Sequence, residues 1–317
     1  MGSSSGPAPV EARGLVKVYG DVTAVDHVDL TVEAGDVYGY LGPNGAGKTT
    51  VLRMLLGLIT PTAGEVRISG RDPVADGAAA LQGVAGFVEA PRFYPYLTGR
   101  KNLELLAALD GGDAAIRIDE ALDVVELTDR QKHRVGGYSH GMRQRLGVAA
   151  ALLRDPKLLL LDEPATGLDP AGMRDMRALI ARLSLSGTTV LLSSHLLAEV
   201  EELCNRVAIV RTGRIVFEGA LEDLKRTAGG DWRLRTTDDG RAAAVCRAQQ
   251  GIDDVRVSPL ELRFAGTEEA AAALSVALVE AGLAIRALAP HAATLEDLFF
   301  RLTEDEPGRP ELAAEAA

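Results

Sequence analysis

The sequence predicts an α/β protein, with a first domain on a mainly parallel sheet followed by a small α+β domain. Three observations predict it. Gly42-Pro43-Asn44-Gly45-Ala46-Gly47-Lys48-Thr49 fits G-x-x-x-x-G-K-[ST], and it lies between a short apolar strand, Val37–Leu41, and a helix opening at Thr50. Leu158–Leu161 is a wholly apolar strand that ends in Asp162-Glu163-Pro164. Hydrophobic residues make up 47% of the chain but aromatics only 4%. The core is therefore Leu, Val, Ile and Ala, as strands buried on both faces require.

The 317 residues suffice for two domains and a substantial core. The net charge of -11 gives general nucleic-acid binding no electrostatic support, so no nucleic-acid partner is expected. Phosphate binding survives that balance, because a loop of this type uses backbone dipoles and one lysine. Cys204 and Cys246 lie far apart with no metal-ligand spacing, and a reducing compartment is the default. No run approaches about 18 apolar residues, the length that would span a membrane. Residues 1–9 lack the basic start and apolar stretch of a signal peptide and read as a disordered leader.

Val10–Tyr19 and Val22–Val32 read as a hairpin about Gly20-Asp21. Tyr19 beside that turn suits either stacking on a base or ordinary packing. In the loop that follows Leu41, glycines let successive N–H groups point into one concavity, and the helix start adds partial positive charge. Lys48 can then reach β- and γ-phosphates, and Thr49 can offer its hydroxyl to Mg²⁺. A short strand, Glu65–Ile68, follows the turn Thr60–Gly64, and Val84–Val88 is a strand ending at Glu89. Pro91 and Pro95 then bar regular structure, while Phe93, Tyr94 and Tyr96 cluster. They either pack locally or form an apolar surface for a partner. Thr98 can cap a helix from Gly99, and helical pattern resumes over Ile116–Val125 after Asp110–Asp113.

Gly136–Met142 is a second Gly-containing turn before a helix, Met142–Arg154, and its Ser139 and free N–H groups form another possible anion site. Asp162 and Glu163 are costly at the end of a buried strand unless something positive meets them. Mg²⁺ is that partner for Asp162, and Glu163 is available as a base for water. Ala165–Pro170 turns into another helix, and Thr188–Leu192 is a buried strand with Ser193-Ser194-His195 at its end. His195 thus sits on the edge where α/β sheets bind ligands. Val207–Val210 and Ile215–Glu218 form a last strand pair, and Leu221–Arg226 a short helix. Ala228-Gly229-Gly230 marks a boundary. Beyond it, strand Trp232–Thr237, helix Arg241–Gln249, strands Val255–Ser258 and Leu260–Ala265, helix Thr267–Ala281 and strand Ala284–Leu288 follow. That order resembles a ferredoxin-like split βαβ unit. Thr294 can cap a helix through Arg301, and residues 303–317 read as an acidic flexible tail.

Over about residues 10–226 this set of motifs, in this order, resembles the ATP-binding-cassette (ABC) ATPases. The resemblance implies an ABC-type ATPase domain over 10–227, with parallel core sheet, antiparallel β subdomain and a helical subdomain at about 97–155. It leaves 231–302 as an α+β accessory domain. It implies ATP and Mg²⁺ as ligands, with nucleotide held by Tyr19 and Gly42–Thr50, and with Glu163, His195 and Lys48 catalytic. Thr49, Asp162 and Glu89 are implied for the metal. Tyr138-Ser139-His140-Gly141-Met142 resembles the signature that meets the opposite subunit's ATP, with His140 where Gly is usual and Met142 where Gln is frequent. Gly167-Leu168-Asp169 corresponds to the dimer loop.

Glu89 stands where the family places Gln; it keeps an oxygen, adds a charge and loses the N–H₂ donor. Its segment, through Gly99, is similar to the subgroup exporting bacitracin-like and lantibiotic peptides. The Thr294–Phe299 ending is similar to stand-alone exporter ATPases with an extra C-terminal domain. The implied function is a homodimeric ATPase at the cytoplasmic face of the membrane, energising a separate permease that docks near Glu89, Phe93, Tyr94 and Tyr96. Drug, antibiotic or peptide efflux is its implied use. The alternatives are an importer ATPase, and a soluble regulatory cassette ATPase, which usually carries two cassettes or a coiled-coil insertion.

Overall fold

The computed structural model describes residues 6–110, 112–227, 231–258, 261–290 and 299. Two compact units divide between Leu221 and Glu222. The first unit begins with β1 (Val10–Tyr19), β2 (Val22–Val32), β3 (Val37–Leu41), α1 (Lys48–Leu55), β4 (Ala63–Ile68) and β5 (Val84–Phe87). Helices α2 (Gly99–Asp110), α3 (Ile118–Val124) and α4 (His140–Leu152) follow. The chain then alternates through β6 (Leu158–Asp162), α5 (Pro170–Leu185), β7 (Thr189–Ser194), α6 (Leu197–Leu203), β8 (Arg206–Arg211) and β9 (Arg214–Ala220).

The central sheet runs β5-β6-β7-β3-β8-β9. All its pairs are parallel except β8–β9. Every residue of β3, β6 and β7 is buried, which is why these strands read as continuous apolar runs rather than alternating ones. Each buried leucine of Leu158–Leu161 contributes about 1.5–3 kcal/mol. A separate antiparallel sheet, β2-β1-β4, packs its apolar face with α1 and the central sheet in one core. The hairpin predicted about Gly20-Asp21 forms, with Tyr19 opposite Val22.

Helix ends differ from the predicted ones by one to two residues, and local capping explains the shifts. α4 starts at His140 because the Ser139 side chain accepts from the Met142 N–H. α5 starts at Pro170, with Asp169 accepting from Gly172 N. Short 3₁₀ turns at 77–79, 112–117, 128–130 and 135–137 fill segments that carry no sequence periodicity.

The second unit takes in most of α7 (Leu221–Thr227), then β10 (Asp231–Thr236), α8 (Asp239–Ala248), β11 (Ile252–Val257), β12 (Leu262–Gly266), α9 (Glu268–Glu280) and β13 (Ile285–Pro290). Its four strands lie in the order β11-β12-β10-β13, all antiparallel. Leu234, Leu262 and Phe264 from the sheet share a core with Ala242, Cys246, Leu274 and Leu278 from α8 and α9. The predicted helix from Thr294 to Arg301, apart from Phe299, and the predicted tail 303–317 lie outside the described residues, as does most of the predicted leader.

One glycine in the central sheet fixes strand spacing. Gly86 on β5 has φ +150°, and a Cβ there would lie 1.8 Å from the Leu160 carbonyl oxygen. Gly86→Ala should therefore push β5 off β6 and destabilise the first unit by roughly 2–4 kcal/mol. Urea unfolding followed by far-UV circular dichroism reads this; an unchanged midpoint would mean that the strand edge yields freely.

Candidate functional site

Three strand ends build the site. β3 runs into the Gly42–Thr49 loop, β6 ends at Asp162, and β7 lies between them and ends at Ser194. The loop must turn sharply onto α1, and Gly47 makes that turn with φ +93°. A Cβ on Gly47 would sit 2.3 Å from the Ala24 carbonyl, so only glycine fits this close approach. The Gly42 N–H donates to the Ser194 carbonyl at 3.2 Å, which ties the loop to the end of β7. Pro43, Asn44 and Gly45 are exposed, Ala46 is buried beneath them, and Thr50 continues α1.

The charged groups converge inside this frame. The Lys48 side chain is 6% exposed. Its Nζ donates to the carbonyls of Gly42 at 2.7 Å and Pro43 at 3.1 Å. It also lies 3.1 Å from Glu163 Oε1. That last contact is an ion pair by distance, yet Oε1 is buried with no aligned hydrogen bond. Glu163 Oε2 accepts from Thr166 Oγ1 at 2.8 Å and from His195 Nδ1 at 2.7 Å. Because a carboxylate only accepts, Nδ1 carries the proton. Burial pushes the Glu163 carboxyl up, but the Thr166 hydrogen bond, Lys48 and His195 outweigh it and hold the group below its usual range. Glu163 also has φ +50°, a sparsely populated backbone state for a non-glycine residue.

Asp162 is fully engaged. Oδ2 accepts from Thr49 Oγ1 at 2.9 Å and from the Glu89 N–H at 3.3 Å, and Oδ1 accepts from Ser193 Oγ at 2.5 Å. Thr49 and Asp162 thus present two adjacent hard oxygen donors, the type Mg²⁺ takes beside phosphate. Among the described residues no group of three or more His, Cys, Asp or Glu side chains could hold a metal ion. The Glu89 carboxylate lies elsewhere: it pairs with Arg53 on α1.

The remaining sequence-predicted residues fall into separate places. Tyr19 is 45% exposed, with Lys17 Nζ 5.1 Å from its ring centroid. Ser139–Met142 opens α4, and Tyr138 is anchored below it by a hydrogen bond from its hydroxyl to the Arg130 carbonyl. His140 Nε2 lies 3.1 Å from the Thr166 carbonyl, and Gly141 approaches Leu168. The Ser139–Met142 turn therefore touches Thr166-Gly167-Leu168 within one chain. Phe93 and Tyr94 line a groove of about 650 Å³ with Leu105, Leu106 and Leu109 of α2. Tyr96 is not in that lining; it packs on Tyr94 at 5.7 Å between ring centroids.

Sequence reasoning missed several partners. Ser193 is set opposite Asp162 by the β6–β7 register. Thr166 carries a hydroxyl three residues after Glu163. Arg53, in the last turn of α1, is the cation that Glu89 would have needed. The leucines of the groove had a readable signal, since Leu105, Leu106 and Leu109 lie off the Leu103-Ala107 stripe that faces the core. Glu199 was also missed: its carboxyl is 4% exposed, accepts from Ser194 Oγ at 2.6 Å, and leaves Oε1 buried without a partner.

The family described as ABC transporter matches residues 25–166. The bacitracin transport ATP-binding protein BcrA of Bacillus licheniformis is 38% identical over 295 residues, covering 92% of this chain and 96% of that protein. The daunorubicin resistance ATP-binding protein DrrA3 of Streptomyces coeruleorubidus is 38% identical over 304 residues, covering 94% and 96%. A solved ATP-binding subunit of an ABC transporter is 29% identical with TM-score 0.62, covering 69% of this chain and 92% of that one. The dimeric post-hydrolysis state of an ATP-binding cassette bound to ADP and Pi is 26% identical with TM-score 0.60, covering 67% and 98%.

Glu199 gives the site a measurable pH dependence. Burial pushes its carboxyl from an ordinary 4.5 up to about 7, with the nearby Glu163 charge adding and the Ser194 hydrogen bond opposing. Between those values the native chain holds a proton that the unfolded chain has lost. Stability is therefore fully present below 4.5 and falls as pH rises through about 7. Glu199→Gln removes the dependence. Its stability relative to wild type should rise by up to about 3 kcal/mol on going from acid to mildly alkaline pH, read by urea unfolding. A difference that stays constant across this range would mean that Glu199 is ionised throughout.

Proposed function

Because this chain belongs to the ABC transporter ATP-binding proteins, we propose that it energises a separate membrane permease as the ATPase of an exporter. Membership carries ATP binding and hydrolysis coupled to transport. The observation that carries the finer reading is the single cluster of Lys48, Thr49, Asp162, Glu163 and His195 around the Gly42–Thr49 loop. ATP's phosphates would replace the Gly42 and Pro43 carbonyls and Glu163 as partners of Lys48. Tyr19 offers its ring to the adenine. Glu163, freed from Lys48, orients the attacking water and takes its proton as the water oxygen bonds to the γ-phosphorus and ADP leaves. His195 turns from Glu163 to the γ-phosphate. Thr49 and Asp162 would hold Mg²⁺, with Glu89 reaching it only after leaving Arg53; the ion would neutralise phosphate charge.

Two copies of the chain are needed. The Ser139, His140, Gly141 and Met142 turn lies at a helix N-terminus and is suited to the second copy's ATP, and Gly167-Leu168-Asp169 lies beside it to meet that copy. The groove of Phe93, Tyr94, Leu105, Leu106 and Leu109 suits a short apolar helix of the permease. Among the described residues no helix is long and apolar enough to cross a membrane, which fits peripheral attachment at the cytoplasmic face through that groove. Export of a drug or antibiotic peptide is favoured by the likeness to BcrA and DrrA3 along nearly the whole chain. The β-α-β-β-α-β order and the β11-β12-β10-β13 sheet support a ferredoxin-like accessory domain over 231–302, with the ATPase domain at 10–227.

Glu163→Gln should bind ATP and dimerise but hydrolyse it at least about 100-fold more slowly, measured as phosphate release. Near-normal turnover would remove Glu163 from the chemistry. Leu106→Asp should leave basal hydrolysis intact and abolish permease-dependent stimulation in vesicles. Retained stimulation would move the docking surface elsewhere.

A further inference from the structure

One residue outside the predicted site touches both of its halves. Thr166 donates its hydroxyl to Glu163 Oε2 at 2.8 Å, while its carbonyl lies 3.1 Å from His140 Nε2. A carbonyl can only accept, so the His140 ring is the donor. Gly167 packs against the same ring: a Cβ there would lie 3.4 Å from Nε2. The Thr166 N–H also donates to the Glu163 carbonyl at 3.1 Å, which closes a tight turn between the two residues. His140 belongs to the turn that serves the second copy's ATP, whereas Glu163 serves the chain's own ATP.

We propose that Thr166 is a positioning residue that holds Glu163 in a retracted orientation, and that His140 makes this hold depend on the nucleotide in the other subunit. The proposal rests on the reading of Glu163 and of the Ser139–Met142 turn given above. With the second subunit's loop empty, Thr166, His195 and Lys48 share the Glu163 carboxylate and keep it from water. When phosphate meets the Ser139–Met142 turn, His140 shifts, the Thr166 carbonyl follows, and the hydroxyl leaves Glu163. His140 in place of the family's glycine is what supplies the tie. A glycine has no side chain to reach Thr166.

Tandem-linked dimers of the full chain test this, with one half the reporter and the other carrying either Glu163→Gln (ATP held, not hydrolysed) or Lys48→Ala (loop empty). A wild-type reporter should hydrolyse at least about tenfold faster beside the Glu163→Gln half than beside the Lys48→Ala half. A Thr166→Val reporter should bring that ratio close to one by gaining activity beside the empty half. Thr166→Ser should restore it, and His140→Ala should lower it from the other end of the tie. A merely structural role would lower both rates and leave the ratio alone. The proposal is overturned if Thr166→Val or His140→Ala keeps the wild-type ratio, if Thr166→Ser does not restore it, or if the wild-type ratio is itself one. A tandem with Glu163→Gln in both halves separates the two failures: hydrolysis there would overturn the underlying assignment of Glu163 instead.

Discussion

Two carboxylates at the end of a strand buried on every residue set the terms for the rest of the first unit. Asp162 and Glu163 cannot sit there as bare charges, because desolvation of an unpaired carboxylate costs several kcal/mol. The sheet order answers this requirement. β7 lies beside β6 and brings Ser193 and His195 to the same edge, and β3 on the far side of β7 sends out the loop that carries Lys48 and Thr49. Every acceptor on Asp162 has a donor, and Glu163 has three groups around it. A parallel sheet is what allows three strand ends to meet in this way, since all its strands finish on one side.

Such mutual satisfaction also has a chemical consequence. Lys48 and His195 both engage Glu163, and Lys48 also engages the Gly42 and Pro43 carbonyls, so the groups proposed to meet ATP and water are occupied within the chain. On the reading proposed above, binding of nucleotide would be an exchange of partners at Lys48. Phosphate oxygens would then take over Lys48, and Glu163 would lose one of its neutralising groups just as the proposed role asks it to act as a base. The positive φ at Glu163 turns its side chain toward this cluster instead of leaving it in the pleat of β6.

Much of this was legible in the sequence, and for physical reasons. Glycines at 42, 45 and 47 before a lysine, between an apolar strand and a helix, favour a phosphate loop, and four leucines before Asp162-Glu163-Pro164 favour a buried strand. The second unit was legible as an order of strands and helices, and the structure adds the Asp238 and Thr267 caps that start its two helices. What escaped was contact between residues distant in sequence and ordinary in type. Ser193 reads as a strand-end serine until the register sets it on Asp162. Leu105 and Leu109 stand off the buried Leu103-Ala107 stripe, a helical signal that was present in the sequence but not used. Thr166 lies in a turn whose conformation no periodicity describes, so its hydroxyl could not be aimed from the sequence.

Glu89 combines both cases. Its identity was a visible departure, and the consequence deduced from it, a charge in place of an amide donor, is sound. The partner was not visible, because Arg53 lies a helix away. Their ion pair is largely exposed, with side-chain accessibilities of 57% and 38%. Pairs of that kind contribute about 0–1 kcal/mol. The Glu89 carboxylate is therefore held weakly while its backbone N–H is fixed on Asp162. A neutral glutamine would have no charge to set against the Arg53 guanidinium, whereas the carboxylate forms an ion pair with it. The glutamate therefore places an exposed charge at the end of β5, beside Asp162 and the Gly42–Thr49 loop. That charge stands four residues before Phe93 and five before Tyr94, so one short stretch of chain joins the Asp162 end of the site to the groove.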